Sequence, residues 1–252
     1  MTNVCCVNVG TKYSVEYTLR LYNMVKRNTS KPFEFYVYTD QTERYNKYDD
    51  IIAIEHDNDD FGWWCKLHLF KDGVLPKGEY LYFDLDVVIV DNIDELFDHK
   101  GFGIIRDFIR PDEGIVGGKE YNSSIVKFDN RTTNGIYIHY RNNKQYWMEL
   151  RKQIGIIGDQ NVVSSYCNYY PDFVKPFQDE IIWSFKKGVE RGKHYGDRSQ
   201  WFGRKILKGG KVCVFHGDPS PREILNDEEK YLSMGNKFCT NDTINWIKNN
   251  WK

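Results

Sequence analysis

Along the first ninety residues the apolar positions fall into two kinds of run. VCCVNV (residues 4–9) is a short apolar stretch stopped by Gly10, and FEFYVYT (33–39), IIAIE (51–55) and YLYFDLDV (80–87) repeat it. Between them, SVEYTLRLYNMVKRN (14–28) and WCKLHLFKDG (64–73) carry apolar residues at helical spacing. Short strand-like runs alternating with helical ones predict a parallel sheet sandwiched by helices. Past residue 91 the pattern changes. NIDELF reads as a short helix, and GFGIIRD, SSIVKFD and GIYIHY read as strands between Gly, Pro and Asn turns, with helices near 142–153 and 159–168. The expected fold is α/β, a Rossmann-like, mostly parallel sheet flanked by helices, with an α+β C-terminal half.

The fourth strand-like run interrupts its own pattern. YLYFDLDVVIV places two acids, Asp84 and Asp86, inside an apolar stretch. Read as one strand, positions i and i+2 face the same side, so the carboxylates stand within a few ångströms of each other. A buried charge without a cation or hydrogen bonds is strongly unfavourable, and the pair therefore calls for a metal, a shared proton or a strand end open to a cleft. In parallel sheets ligands sit at the carboxyl ends of the strands, which is where these acids fall. The residues alone leave three readings open. The pair holds Mg²⁺ or Mn²⁺ against the diphosphate of a nucleotide sugar. It forms the nucleophile and general acid of a haloacid-dehalogenase-like phosphatase, whose DxDx(T/V) strand DLDVVIV also fits. Or it is a strand terminus or cation site in a non-catalytic sugar-binding module.

Composition narrows the partners. Lys and Arg (35) nearly balance Asp and Glu (36), so bulk charge does not point to nucleic acid or an anionic membrane. The opening MTNVCCVNVGTKY has no basic segment followed by a long apolar one, and no apolar run reaches membrane-spanning length, so the expectation is a soluble, cytoplasmic protein. Cys5, Cys6, Cys65, Cys167, Cys213 and Cys239 show no metal-site spacing and read as small buried hydrophobes. Tyr recurs throughout and Trp63 and Trp64 are adjacent, a composition that suits flat, hydroxylated ligands such as sugars and bases. Between Lys186 and Lys211 nine basic residues meet two acids, either a solvated face or a rim for a phosphorylated ligand. The tail TINWIKNNWK is amphipathic, and covers the site, docks a partner or caps the fold.

The stretch WCKLHLFKDGVLPKGEYLYFDLDVVIVDNIDELFD (64–98) resembles glycosyltransferases of the GT-A fold, closest to family 8. There a basic residue and Leu precede an apolar helix, then YLDxDxxV, then NIDELF. IRD (105–107), YNSS (121–124), GDQN (158–161) and VFHGDPSPRE (214–223) follow in the family's order. The resemblance implies one GT-A domain over residues 1–252, with 1–98 as the nucleotide-binding half and 99–252 as the acceptor and catalytic half. It implies a hexose moved from a nucleoside diphosphate sugar, a UDP-sugar by preference, to the hydroxyl of a glycan or other acceptor, with retention at the anomeric carbon. Asp84, Asp86 and His216 would be ligands of Mn²⁺ or Mg²⁺. Lys66, Arg106, Asp107, Asn122 and Ser123 would contact the donor, and Tyr13 its base. Asp159 and Gln160 would stand near the anomeric carbon, although a Gly-Asp pair before an apolar run is equally a helix N-cap. Two departures stand out. Ser220 occupies the position of a family lysine that reaches the diphosphate, with Arg222 or the basic stretch as candidate substitutes, and VGTKY lacks the acid usual near the base.

Overall fold

The structure is a computed structural model that describes residues 1–56, 59–108, 120–155, 157–185, 209–233 and 239–252. In chain order its strands are β1 (Thr2–Val7), β2 (Phe35–Thr39), β3 (Ile51–Glu55), β4 (Glu79–Phe83), β5 (Val87–Ile89), β6 (Gly103–Arg106), β7 (Tyr121–Asp129), β8 (Ile182–Ser184) and β9 (Val212–Val214). The α-helices are α1 (Val15–Arg27), α2 (Asp94–Asp98), α3 (Asn134–Asn142), α4 (Lys144–Ile154), α5 (Asp159–Tyr169), α6 (Pro221–Asn226), α7 (Glu228–Ser233) and α8 (Asn241–Asn250). Six strands form one sheet in the order β3-β2-β1-β4-β7-β6, and β5-β9-β8 form a second, smaller one. In the large sheet β3, β2, β1 and β4 pair in parallel, while β7 runs antiparallel to both β4 and β6. The fold is mixed α/β with a mostly parallel central sheet flanked by helices, as the periodicity predicts.

Strand alternation divides the core into two layers. Val4, Cys6, Phe35, Val37, Leu81, Phe83 and Ile125 face α1, α8 and the small sheet. Cys5, Tyr36, Tyr38, Tyr80, Tyr82, Val126 and Phe128 face α3, α5 and the segment Gly62–Phe70. A sheet buried on both faces needs apolar residues at successive positions, which is why its strands read as continuous apolar runs. All six cysteines are free and buried.

Three expectations are corrected. The segment expected to be an α-helix at 64–73 is a 3₁₀-helix, Gly62–Phe70, entered through Gly62 at φ +59°. GIYIHY is the body of α3 rather than a strand. Ile136 and Tyr140, one α-turn apart, are buried while Ile138 between them is 47 % exposed, so the spacing is helical and the alternation was coincidental. The run 80–87 is not one strand either. β4 stops at Phe83, the chain turns through Leu85 and Asp86, and β5 continues in the other sheet. A run buried in two consecutive sheets looks in sequence like a run buried in one. No helix among the described residues is long and apolar enough to cross a membrane.

Candidate active site

The turn between the sheets fixes the two acids. The Asp84 N–H donates to the Ser124 carbonyl of β7 at 2.8 Å, and the Asp86 carbonyl accepts from the Phe215 N–H at 3.3 Å, just past β9. Asp84 and Asp86 thus stand at the carboxyl end of β4, held on one side by the large sheet and on the other by the small one.

Lys66 enters from the 3₁₀-helix, its side chain only 7 % exposed. Its ammonium lies 2.9 Å from Asp84 Oδ1 and 2.9 Å from Asp159 Oδ2, and donates to the carbonyl and the hydroxyl of Ser123, each at 3.2 Å. Ser123 Oγ in turn donates to Asp159 Oδ2 at 2.6 Å, and the Tyr82 hydroxyl donates to Asp84 Oδ1 at 2.5 Å. The Tyr82 ring also lies under the ammonium, 4.9 Å from centroid to Nζ. Burial works against the charge on Lys66, but Asp159 and then Asp84 more than offset it, so its pKa is held above the ordinary lysine value. Burial and, next, Asp84 push the Tyr82 phenol well up, so it is a donor throughout the physiological range.

Asp86 is the less compensated acid. Burial, then the charge of Asp84, pushes its carboxyl up to about 7, against weaker opposing pulls from Lys12 and Lys66. Its Oδ2 accepts from the Tyr13 hydroxyl at 3.3 Å. Burial and the two aspartates raise the Tyr13 phenol, and its ring packs on Tyr17 at 4.7 Å.

Asp159 is not a helix cap. Gly158 is the N-cap of α5, and Asn161 supplies the capping contact, its Oδ1 accepting the Gly158 N–H at 3.0 Å. The Asp159 carboxylate is free to turn inward to Lys66 and Ser123. Gln160 follows in the first turn, half-buried. Asn122 is buried on β7, where its Oδ1 accepts the Ser124 N–H at 2.9 Å, and Arg106 and Asp107 close β6 opposite Tyr121 and Glu120.

His216 follows β9 next to Phe215 and is therefore adjacent to Asp86 through the backbone. Its Nε2 lies 2.6 Å from Ser184 Oγ, and its ring stacks on Phe108 at 5.6 Å. Gly217, at φ +71°, then takes the left-handed turn that releases the chain. Among the described residues no three His, Cys, Asp or Glu side chains are gathered within ligating range of one point, so Asp84, Asp86 and His216 are neighbours without forming a closed ligand set. The donor set nevertheless suits a hard divalent cation. Asp84, Asp86 and Asp159 bring three carboxyl groups together, the Lys66 ammonium is in direct contact with Asp84 and Asp159, and Asp86, raised by burial and by Asp84, is the acid that a cation would relieve.

The residue at the position of the family lysine, and one of its two candidate substitutes, are engaged elsewhere. Ser220 caps α6, its Oγ accepting the Glu223 N–H at 3.3 Å while its own N–H donates to Glu223 Oε2 at 2.6 Å. Arg222 pairs with Glu16 of α1 at 2.5 Å and donates to Ser14 Oγ at 2.9 Å. Of the basic stretch 186–211, only Lys211 lies within the described residues, paired with Glu95. Sequence reasoning missed Tyr82 and Ser184. Tyr82 shares strand parity with Asp84 and was in reach of that signal, whereas nothing near Ser184 in the chain announces His216.

The mixed α/β fold, with its mostly parallel central sheet flanked by helices, matches that of solved glycosyltransferases of the GT-A fold. No family model matches the chain, and no curated protein sequence does. Among solved structures it is similar to the galactosyltransferase LgtC in complex with donor and acceptor sugar analogs, at 13 % identity and TM-score 0.59 over 87 % of this chain and 89 % of that one. It is similar to the glycosyltransferase GlyE of Streptococcus pneumoniae at 12 % identity and TM-score 0.57, covering 96 % of this chain and 66 % of that one. Mouse xyloside xylosyltransferase 1 follows at 13 % identity and TM-score 0.53, over 86 % and 98 %. The likeness is one of fold.

Proposed function

We propose that the chain is a glycosyltransferase that moves a hexose from a nucleoside diphosphate sugar, a UDP-sugar by preference, to an acceptor hydroxyl, with retention at the anomeric carbon. The observation that carries this reading is the Lys66 ammonium, which joins Asp84, at the turn between the sheets, to Asp159, at the start of α5. One buried cation thereby links a site with an excess of carboxylate to a second carboxylate at the mouth of the same sheet. Asp84 and Asp86, with His216 beside them, would hold Mn²⁺ or Mg²⁺. When bound, that cation supplies positive charge to the diphosphate oxygens as the leaving group forms.

The remaining roles belong to the chain itself. Lys66 and Ser123 fix the Asp159 carboxylate, which with Gln160 would face the anomeric carbon and the incoming hydroxyl. Tyr13 would bound the base, and Arg106, Asp107 and Asn122 the donor sugar. Residues 1–98 act as the nucleotide half and 99–252 as the acceptor and catalytic half of a single domain.

A thermal-shift panel of nucleoside diphosphates and their sugars, each with Mn²⁺, Mg²⁺ or chelator, tests the reading. A ligand that binds only the folded state stabilises it by RT ln(1 + [L]/Kd), so weak donors register. The expected outcome is a shift for one sugar nucleotide that disappears with chelator and in Asp86→Ala. If no nucleotide shifts the protein, the donor site is wrong. If His216→Ala leaves Mn²⁺-dependent binding intact, His216 is not a ligand.

A further inference from the structure

The 3₁₀-helix Gly62–Phe70 exposes one ring at the edge of the site. In a 3₁₀-helix residues i and i+3 eclipse, so Trp63 lies on the same face as Lys66, about 6 Å further out along the axis. Trp64 through Phe70 are all buried, but Trp63 is 45 % exposed and Phe61, just before the helix, 63 %. The exposed indole is held in place. The Arg151 guanidinium of α4 lies over its ring, 4.4 Å from the centroid. Its Nε1 edge fits against Gly158 only because that residue has no side chain, for a Cβ there would lie 2.7 Å from Nε1 and 2.9 Å from Cδ1. Gly158 directly precedes Asp159.

Traced by contact, the site runs from Tyr13 to Asp86 and Asp84, through Lys66 to Asp159, and by way of Gly158 ends at Trp63. Tyr13 and Trp63 are the first and last members of that chain of contacts. With the donor base at the Tyr13 end and the diphosphate at the acids, the Trp63 end is left for the second substrate.

We infer that Trp63 is the platform for the acceptor, and that the acceptor is a carbohydrate whose pyranose ring lies with its C–H face on the indole. The inference rests on the glycosyltransferase reading and adds to it the class of acceptor and the residue that selects it. A flat ring with one face backed by a cation and its edge fixed by backbone offers area and orientation with little loss of side-chain freedom. A pyranose matches it with a face of C–H groups, and stacking leaves the ring's hydroxyls pointing sideways, one of them toward the residue after Gly158. Phe61 extends the apolar surface outward.

The test is saturation-transfer NMR with methyl α-D-glucopyranoside, methyl β-D-galactopyranoside and lactose, beside thermal shifts with the nucleoside diphosphates. At least one pyranoside should bind the unaltered protein, with the strongest saturation on the protons of one ring face. Trp63→Ala should weaken it by about tenfold, the scale of one aromatic stacking contact, while the nucleotide shift is unchanged. Trp63→Phe, which keeps a flat ring, should retain most of the affinity. Arg151→Ala, a surface change behind the ring, should weaken the pyranoside in the same direction by less, and keeps the test open if Trp63→Ala does not fold. Pyranoside binding that is the same in Trp63→Ala or Arg151→Ala overturns the platform. Nucleotide binding with every pyranoside silent overturns the carbohydrate acceptor and gives the ring to another occupant, a hydroxyl-bearing peptide being the first to try. If neither nucleotide nor pyranoside binds, the wider reading fails, and this inference with it.

Discussion

A buried ammonium between two carboxylates makes Lys66 the residue on which the site depends most directly. Replacing it with Met keeps the volume but leaves Asp84 and Asp159 with hydroxyl donors and no cation, and removing one partner of a buried ion pair costs about 3–5 kcal/mol. We expect Lys66→Met to lower the urea midpoint accordingly, and a loss below about 1 kcal/mol would show that water compensates the acids. The sequence makes Lys66, Asp84 and Asp159 visible as separate candidates, each carried by its own motif. It does not show that they meet, because they come from a helix, a turn between sheets and another helix's first residue. The Gly-Asp pair was legible as a helix start, but which residue caps it was decided by Asn161, two positions further on.

At the scale of elements, the loop into the 3₁₀-helix is tied down by Asp60. Its Oδ2 lies 2.6 Å from His68 Nε2, and its Oδ1 2.5 Å from the Lys144 ammonium and 2.7 Å from the Tyr140 hydroxyl, joining α3 and α4 to this loop. Burial alone would raise the Asp60 carboxyl, but His68, Lys144 and Tyr140 overcome it and hold it well below the usual carboxylate range. A carboxylate depressed in the folded state contributes stability that is fully present above its unfolded value, about pH 4, and is lost as pH falls through the folded value. The melting temperature should therefore decline below about pH 4. Asp60→Asn should flatten that decline and lose about 3 kcal/mol at neutral pH, both read from melting curves across pH. Ser220→Ala removes the cap of α6 and should cost about 1 kcal/mol in the same assay. The short apolar runs of β1 and β2 were legible because a doubly buried strand has few alternatives, and β3, at the sheet edge with Ile52 and Glu55 exposed, was legible from its β-branched residues. The 3₁₀ segment and α3 were not, since continuous burial and chance alternation hide the period.

For the molecule as a whole, the segment after α8 is packed against α1. Trp251, 2 % exposed, meets Tyr17 of α1 at 5.1 Å, and Arg20 lies over its ring at 4.3 Å. Of the three roles open to the tail, capping the fold is the one these contacts display. Trp251→Ala should cost about 3–5 kcal/mol in denaturant, and because Tyr17 touches Tyr13, weaker nucleotide binding should accompany it. The break between β4 and β5 has a mechanical consequence. Asp84 is anchored by backbone to the six-stranded sheet and Asp86 to the three-stranded one, so the acids are a stitch across a seam. Whatever grips both carboxylates clamps the two sheets to each other. Loading the site should therefore slow amide exchange in β8, a strand that contributes none of the proposed ligands.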